Sequence, residues 1–358
     1  MMISREESLR LDMLRFPLIV GVVFIHNFDV SVAFQSEQVG IASSSLVVDF
    51  IRNFLSQGVA RIAVPLFFLM SGYLFFLKFD VSLAGYAQKL SSRLRTLFIP
   101  LVFWNLMMLA LMAVAQSIPV TASFFSGRNS LISQLGILDI INAIFGIGRM
   151  PIAYQFWFVR DLIVLVLVSP LIYLVGRHLF WLVLALLLPL WVADIWPLPL
   201  PSIEALLFFF LGARLGICKK SLFALDAQGL KIACVYVILA VLDAVASGTT
   251  SGEGVHKLAI LFGVITALWV TGLVIRSEVF TDRLVRLGAT SFFVYAAHEP
   301  LLTVCKKLIY RLLHPESPIL ILTIYLALPI FIISVIVWLY PRLQRCLPGF
   351  VAVVSGGR

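Results

Sequence analysis

LDMLRFPLIVGVVFIHNF, residues 11–28, decides how this chain is read. Arg15 opens an apolar run and His26 closes it eleven residues later. Eleven steps of an α-helix come within roughly 20° of three whole turns, so the two side chains share one helix face about 16 Å apart. A cation at the start of an apolar helix and an imidazole deep along the same stripe are costly in a membrane, and such groups are functional candidates. The plainer reading is an anchoring arginine and a packing histidine. Asp12, three residues before Arg15, could orient the guanidinium or cap the helix start.

The surroundings of this stretch settle the class. The 358 residues are 61% hydrophobic and 13% charged, with a mean hydropathy of +1.05. Soluble domains carry about 25% charged residues. The expected architecture is an all-α polytopic membrane protein of about ten transmembrane helices. The spans use nearly the whole chain, so residues 1–358 read as a single membrane domain with no separate soluble domain. The net charge of +9 lies between apolar runs. It therefore points to topology and anionic lipid headgroups rather than to nucleic acid. Four scattered cysteines, Cys218, Cys234, Cys305 and Cys346, imply neither a disulfide framework nor a metal site. Glu6, Glu7 and Asp12 argue against a cleaved signal peptide.

In chain order, spans are expected near 12–30, 58–78, 97–116, 156–175, 179–194, 203–217, 230–246, 256–275, 288–312 and 318–340. Residues 131–148, LISQLGILDIINAIFGIG, are too polar and short for a span and read as an interfacial or re-entrant helix. The segment SGTTSGEG, 247–254, reads as an exposed loop. Basic clusters at the N-terminus, Lys78 to Arg95, Arg177, 214–220, 276–286 and the C-terminus share one side. By the positive-inside rule that side is cytoplasmic, in a multi-pass protein of the cell inner (plasma) membrane with both termini inside. Lys306, Lys307 and Arg311 fall on the other side as an exception.

Further candidates lie along the spans. Ser71 and Gly72 sit amid bulky residues in PLFFLMSGYLFF, where a ligand or a neighbouring backbone can come close. Arg93 and Arg95 precede a span, as anchors or as an anion site. Trp157, Arg160 and Asp161 open another span, and a Trp there commonly anchors at the interface. His298-Glu299-Pro300 lies inside a span. Pro300 frees a backbone carbonyl one turn back, and a buried His/Glu pair needs partners. His178, His256 and His314 read as boundary groups without a catalytic part.

At these motifs the chain resembles the acyltransferase-3 family of integral-membrane acyltransferases. The likeness rests on LDMLR with Arg15-x10-His26, FFLMSGYLF (67–75), RLRTLFIP followed by FW (93–104), FWFVRDL (156–162) and FFVYAAHEPLL (292–302). LDMLRF stands where LDGLRG is commoner. The resemblance implies about ten helices, a cytoplasmic acyl-CoA donor, a glycan hydroxyl acceptor, and essential Arg15 and His26. Acetyl is the expected acyl group by family prevalence. Acetyl-CoA would be a substrate, with no permanently bound cofactor and no metal. The expected partners are acyl-CoA, a glycan or glycolipid acceptor and membrane lipids, but not nucleic acid. Arg15, Arg93 and Arg95 would hold the donor's phosphates, with Ser71 and Gly72 near its thioester. His26 would be the general base, or in a variant would carry the acyl group as a covalent intermediate. The competing reading is a proton-coupled transporter or flippase relaying protons through His26, His298 and Glu299.

Overall fold

The computed structural model describes residues 3–35, 37–40, 45–77, 82–122, 124–125 and 130–357. Lys78, placed in the basic turn above, lies outside these residues. The elements that matter below are α1 (Arg5–His26), β1 (Ser31–Ala33), β2 (Gln38–Gly40), α2 (Ala63–Leu77), α3 (Ile99–Ser117), α4 (Ile137–Phe145) and α5 (Trp157–Leu167). They continue with α6 (Ile203–Ile217), α7 (Gly229–Ala246), α8 (Thr250–Val274), α9 (Ser291–Leu313) and α10 (Pro318–Cys346). Helices dominate, and no separate soluble domain is present among the described residues.

Among the described residues, five helical stretches are long and apolar enough to cross a membrane: Leu46–Leu77, Leu83–Ser117, Asp226–Ala246, Gly252–Val274 and Pro318–Cys346. Tyr154–Leu167 and Ser169–His178 form a sixth only as a pair bent by 68°. The expected span over 156–175 is thus broken. Pro170 stands at the bend, where a proline has no N–H to continue the helical ladder. The other expected spans form helices that fall short in length or carry charge. α6 has 15 residues, about 22 Å of helix. α1 carries Arg10, Asp12 and Arg15, and α9 carries Glu299, Lys306 and Lys307.

Several boundaries shift for local reasons. α1 starts at Arg5 because Ser4 and Glu7 form a capping box, each side chain accepting the other's backbone N–H at 3.1 Å. α8 starts inside the expected 247–254 loop, where the Thr249 hydroxyl accepts the Gly252 N–H at 3.1 Å. The 131–148 segment forms the nine-residue α4, ended by Gly146 at φ +64°. That length cannot span a bilayer. After α1 a small antiparallel hairpin pairs Val32 with Val39, a detail that the polar composition of that loop did not signal.

By its internal contacts the chain divides into two compact units. The first holds residues 1–22, 53–94 and 161–291; the second holds 23–52, 95–160 and 292–358. The first unit is organised by α2 against α6. A β-carbon on Gly72 would lie 2.1 Å from the Phe209 carbonyl oxygen, and one on Gly212 would lie 2.0 Å from that of Leu69. Glycine at both positions lets the two backbones touch, a contact suited to apolar surroundings where packing drives association. The same unit buries Arg10, which binds the Asp226 carboxylate at 2.6 and 3.1 Å, the Thr271 hydroxyl and the Leu268 carbonyl. The second unit packs α3, α4 and α10 with the C-terminal segment, and Trp104 Nε1 donates to the Val354 carbonyl at 2.9 Å.

Candidate active site

His26 ends α1, and the second unit surrounds it with α9 and the turn that precedes α5. Its Nδ1 lies 2.9 Å from the Tyr154 hydroxyl, and its ring centroid is 5.2 Å from that of His298. Tyr154 donates to Glu299 Oε1 at 2.5 Å, and the Thr303 hydroxyl donates to Oε2 at 2.7 Å. Since the phenol hydrogen goes to the carboxylate, the phenol oxygen accepts from His26 Nδ1–H. This order puts the lone pair of a neutral His26 on Nε2. The chain Glu299–Tyr154–His26 has the form of an oriented base: a carboxylate, a relay hydroxyl and an imidazole in a fixed tautomer.

Each member has a local reason for its place. Residues 151–156 run ahead of α5 and are pinned from two helices. The buried Asn105 of α3 accepts the Ala153 N–H at 2.9 Å, and the Tyr295 hydroxyl of α9 donates to the Gln155 carbonyl at 2.6 Å. Pro300 cannot donate to the carbonyl of Ala296. Gln155 Nε2 donates to that carbonyl instead, at 3.3 Å. The proline in α9 therefore helps to hold the segment that carries Tyr154. His298 is fully buried, and its Nδ1 faces the carbonyls of Tyr295 at 2.8 Å and Val294 at 3.2 Å. A nitrogen facing two carbonyls carries the hydrogen, so Nε2 is the lone-pair nitrogen. Nε2 is buried without a hydrogen-bond partner.

The remaining sequence candidates divide. Asp12 and Arg15 form a partly exposed ion pair at 3.0 Å in the first unit. Ser71 is half-buried on α2, while Gly72 beside it is filled by the α6 backbone. Of the two readings of Gly72, the neighbouring backbone is the one found: a glycine on each side lets two helices close, which leaves no room for a ligand at that position. Arg93, half-buried, belongs to the first unit, and the exposed Arg95 to the second.

Trp157 is half-buried at the start of α5. Arg160 is buried and donates to the Gly146 carbonyl at 2.6 Å, closing the C-terminal end of α4. Asp161, also buried, accepts the Ser202 N–H at 2.8 Å ahead of α6. Arg160 and Asp161 are accordingly tied to helix ends. Tyr154 escaped the sequence reading, although it stands two residues ahead of the FWFVRDL motif. Arg10 escaped it as well, since an N-terminal arginine reads as an anchor.

Residues 8–339 match a family described as an acyltransferase domain, acyltransferase-3. The chain is similar to the succinoglycan biosynthesis protein ExoH of Rhizobium meliloti (strain 1021). The two are 26% identical over 373 residues, covering 98% of this chain and 92% of that protein. No solved structure matches. With its apolar helices and a match over nearly its whole length, the chain belongs to the acyltransferase-3 family of membrane acyltransferases.

Proposed function

We propose that this protein moves an acyl group, acetyl by family prevalence, from cytoplasmic acyl-CoA to a hydroxyl of a cell-surface glycan or lipid-linked sugar, with His26 as the general base. The observation that carries this reading is the hydrogen-bonded chain from Glu299 through Tyr154 to His26. It prepares an imidazole whose Nε2 takes a proton. Membership of an acyltransferase family weighs against the carrier reading of the same residues. The similar protein's name places that protein in succinoglycan biosynthesis, which favours a glycan acceptor here.

We propose direct transfer, with an acyl-His26 intermediate as the variant in which His26 carries the acyl group before the acceptor takes it. Nε2 of His26 takes the hydrogen of the acceptor hydroxyl as its oxygen attacks the thioester carbon. The C–S bond breaks, and the imidazolium returns the proton to the departing thiolate, leaving an ester and free CoA. Tyr154 and Glu299 stabilise the imidazolium that forms in between. At the donor end, Arg15, Arg93 and Arg95 hold the phosphates by charge-assisted bonds. The Asp12 partner of Arg15 is no obstacle. Both side chains are partly exposed, at 43% and 35%, and such pairs contribute only about 0–1 kcal/mol. The first helix would hold the pantetheine arm along its length, in a protein of the plasma membrane with both termini cytoplasmic.

The test is transfer of labelled acetyl from acetyl-CoA to envelope glycan by the purified protein in lipid nanodiscs. The wild type is expected to transfer label and His26→Ala to insert and fold but lose turnover, by roughly 10²–10⁴-fold. Retained turnover in His26→Ala removes His26 from the chemistry. Absence of transfer from every acyl-CoA offered removes the reading as a whole.

A further inference from the structure

We propose that His26, His298 and Glu299 form a binding site for a divalent zinc ion, which closes the enzyme when it binds. One ligand atom from each of the three residues lies within 4.8 Å of the others. Ligands on a tetrahedral zinc are about 3.4 Å apart for bonds of about 2.1 Å. Small ring rotations would draw the set together.

The arrangement around the trio is that of metal-binding histidines. A histidine that ligates a metal normally donates its other ring N–H to a carbonyl, a carboxylate or a hydroxyl, which fixes the tautomer and aims the ring. Both histidines do so here. His298 gives its Nδ1–H to the Tyr295 carbonyl, and His26 gives its own to the Tyr154 hydroxyl. Glu299 accepts from Tyr154 and Thr303, one bond on each oxygen. A carboxylate has about four acceptor sites, so each oxygen keeps a lone pair for a metal.

The second, independent observation is His298 Nε2, fully buried and without a hydrogen-bond partner. A buried acceptor left unmatched is costly. Two lone-pair nitrogens beside a carboxylate make a negative pocket that a cation relieves. Imidazole and carboxylate together suit zinc better than calcium or magnesium, which prefer oxygen alone. Zinc on His26 Nε2 occupies the lone pair that would take the acceptor's proton. Closure of the enzyme by zinc rests on the function proposed above; binding of the metal does not.

Cobalt(II) stands in for zinc in the test because its bound form absorbs visible light. The full-length protein, stripped of metal in detergent, is titrated with cobalt, then with zinc. The expected result is one cobalt per chain, displaced by zinc. His298→Ala loses the absorption, Glu299→Gln weakens it by at least tenfold, and the surface control His178→Ala keeps it. His26→Ala provides a second ligand deletion at a half-buried helix end, should His298→Ala fail to fold. Absence of a stoichiometric cobalt spectrum, or a spectrum unchanged in both ligand deletions, overturns the site. Zinc is further expected to inhibit acyl transfer in step with its occupancy and a chelator to restore it. Transfer that continues with zinc bound overturns the closure. Cobalt binding without any acyl transfer leaves the metal site standing and removes the proposed function, and the converse result separates them the other way.

Discussion

At the scale of single residues, the site turns on Tyr154. It is 38% exposed, yet its hydroxyl touches both His26 and Glu299. Tyr154→Phe keeps the ring and deletes only the link. The expected outcome is a fall in kcat of roughly 10–100-fold, typical of a lost orienting partner, with the KM for acyl-CoA little changed. A raised KM with normal kcat would show instead that the phenol serves binding. Thr303 and the Ala153–Gln155 backbone hold the relay from outside, so replacements there are expected to act through Tyr154 and Glu299. His26 and His298 were legible in the sequence as ionisable groups inside apolar runs. Tyr154 was not, since a tyrosine beside a Trp-rich helix start looks like any interfacial aromatic. Only its position across from Glu299, 145 residues away, marks it.

At the scale of elements, the contact of α2 with α6 depends on three small residues, Gly72, Gly212 and Gly216. A methyl group on Gly72 has no space, with the Phe209 oxygen 2.1 Å away and the Ala213 nitrogen 3.0 Å away. Both obstacles are backbone, so the helices themselves must part. Gly72→Ala is expected to destabilise the protein by about 2 kcal/mol or more, in the range of overpacking in a rigid interior, seen as a lower midpoint of thermal aggregation in detergent. An unchanged midpoint would mean that α6 can shift freely.

The start of α1 has its own pH dependence. Burial raises the pKa of Glu7. Hydrogen bonds from Ser221 and from the Ser4 hydroxyl and backbone, with Arg10 nearby, outweigh it and hold the carboxyl below its ordinary value. A carboxylate with a depressed folded pKa favours the fold at pH values above its unfolded pKa. That contribution is lost as the pH falls through the folded pKa. Wild type and Glu7→Gln are therefore expected to differ in thermal stability at neutral pH and to converge in acid, below the usual carboxylate range. A gap that persists there would assign the difference to packing.

At the scale of the whole molecule, the proposed function assigns the basic residues the task of meeting a polyanion. Arg93 and Arg95 stand at the boundary between the helix that starts at Leu83 and the apolar run after it. On the proposed function, CoA raises the thermal midpoint of the wild type, and the Arg93→Ala/Arg95→Ala double variant loses that shift while keeping its own stability. A full shift in the double variant would move the phosphate site elsewhere. High salt is expected to weaken CoA binding in the wild type, because charge-assisted contacts at partly exposed arginines are screened.

The pattern of apolar and charged residues was enough to assign the class of the protein. Long apolar runs with most of the charges between them leave a chain few options in a bilayer, where every backbone polar group must be paired within a helix. It also determined which ionisable groups stand inside apolar runs, since these are conspicuous against such a background. The tertiary structure decided which of them meet. Periodicity puts residues on a helix face but carries no information about the element opposite. Gly72 thus proved to be a seat for a second helix, Arg160 and Asp161 were drawn to helix ends, and Tyr154 entered the site. The turn that presents the phenol to His26 is held by Asn105, by Tyr295 and by Gln155, which takes up the carbonyl that Pro300 frees. Such pairings depend on three-dimensional distance across many residues of chain, which no local pattern encodes.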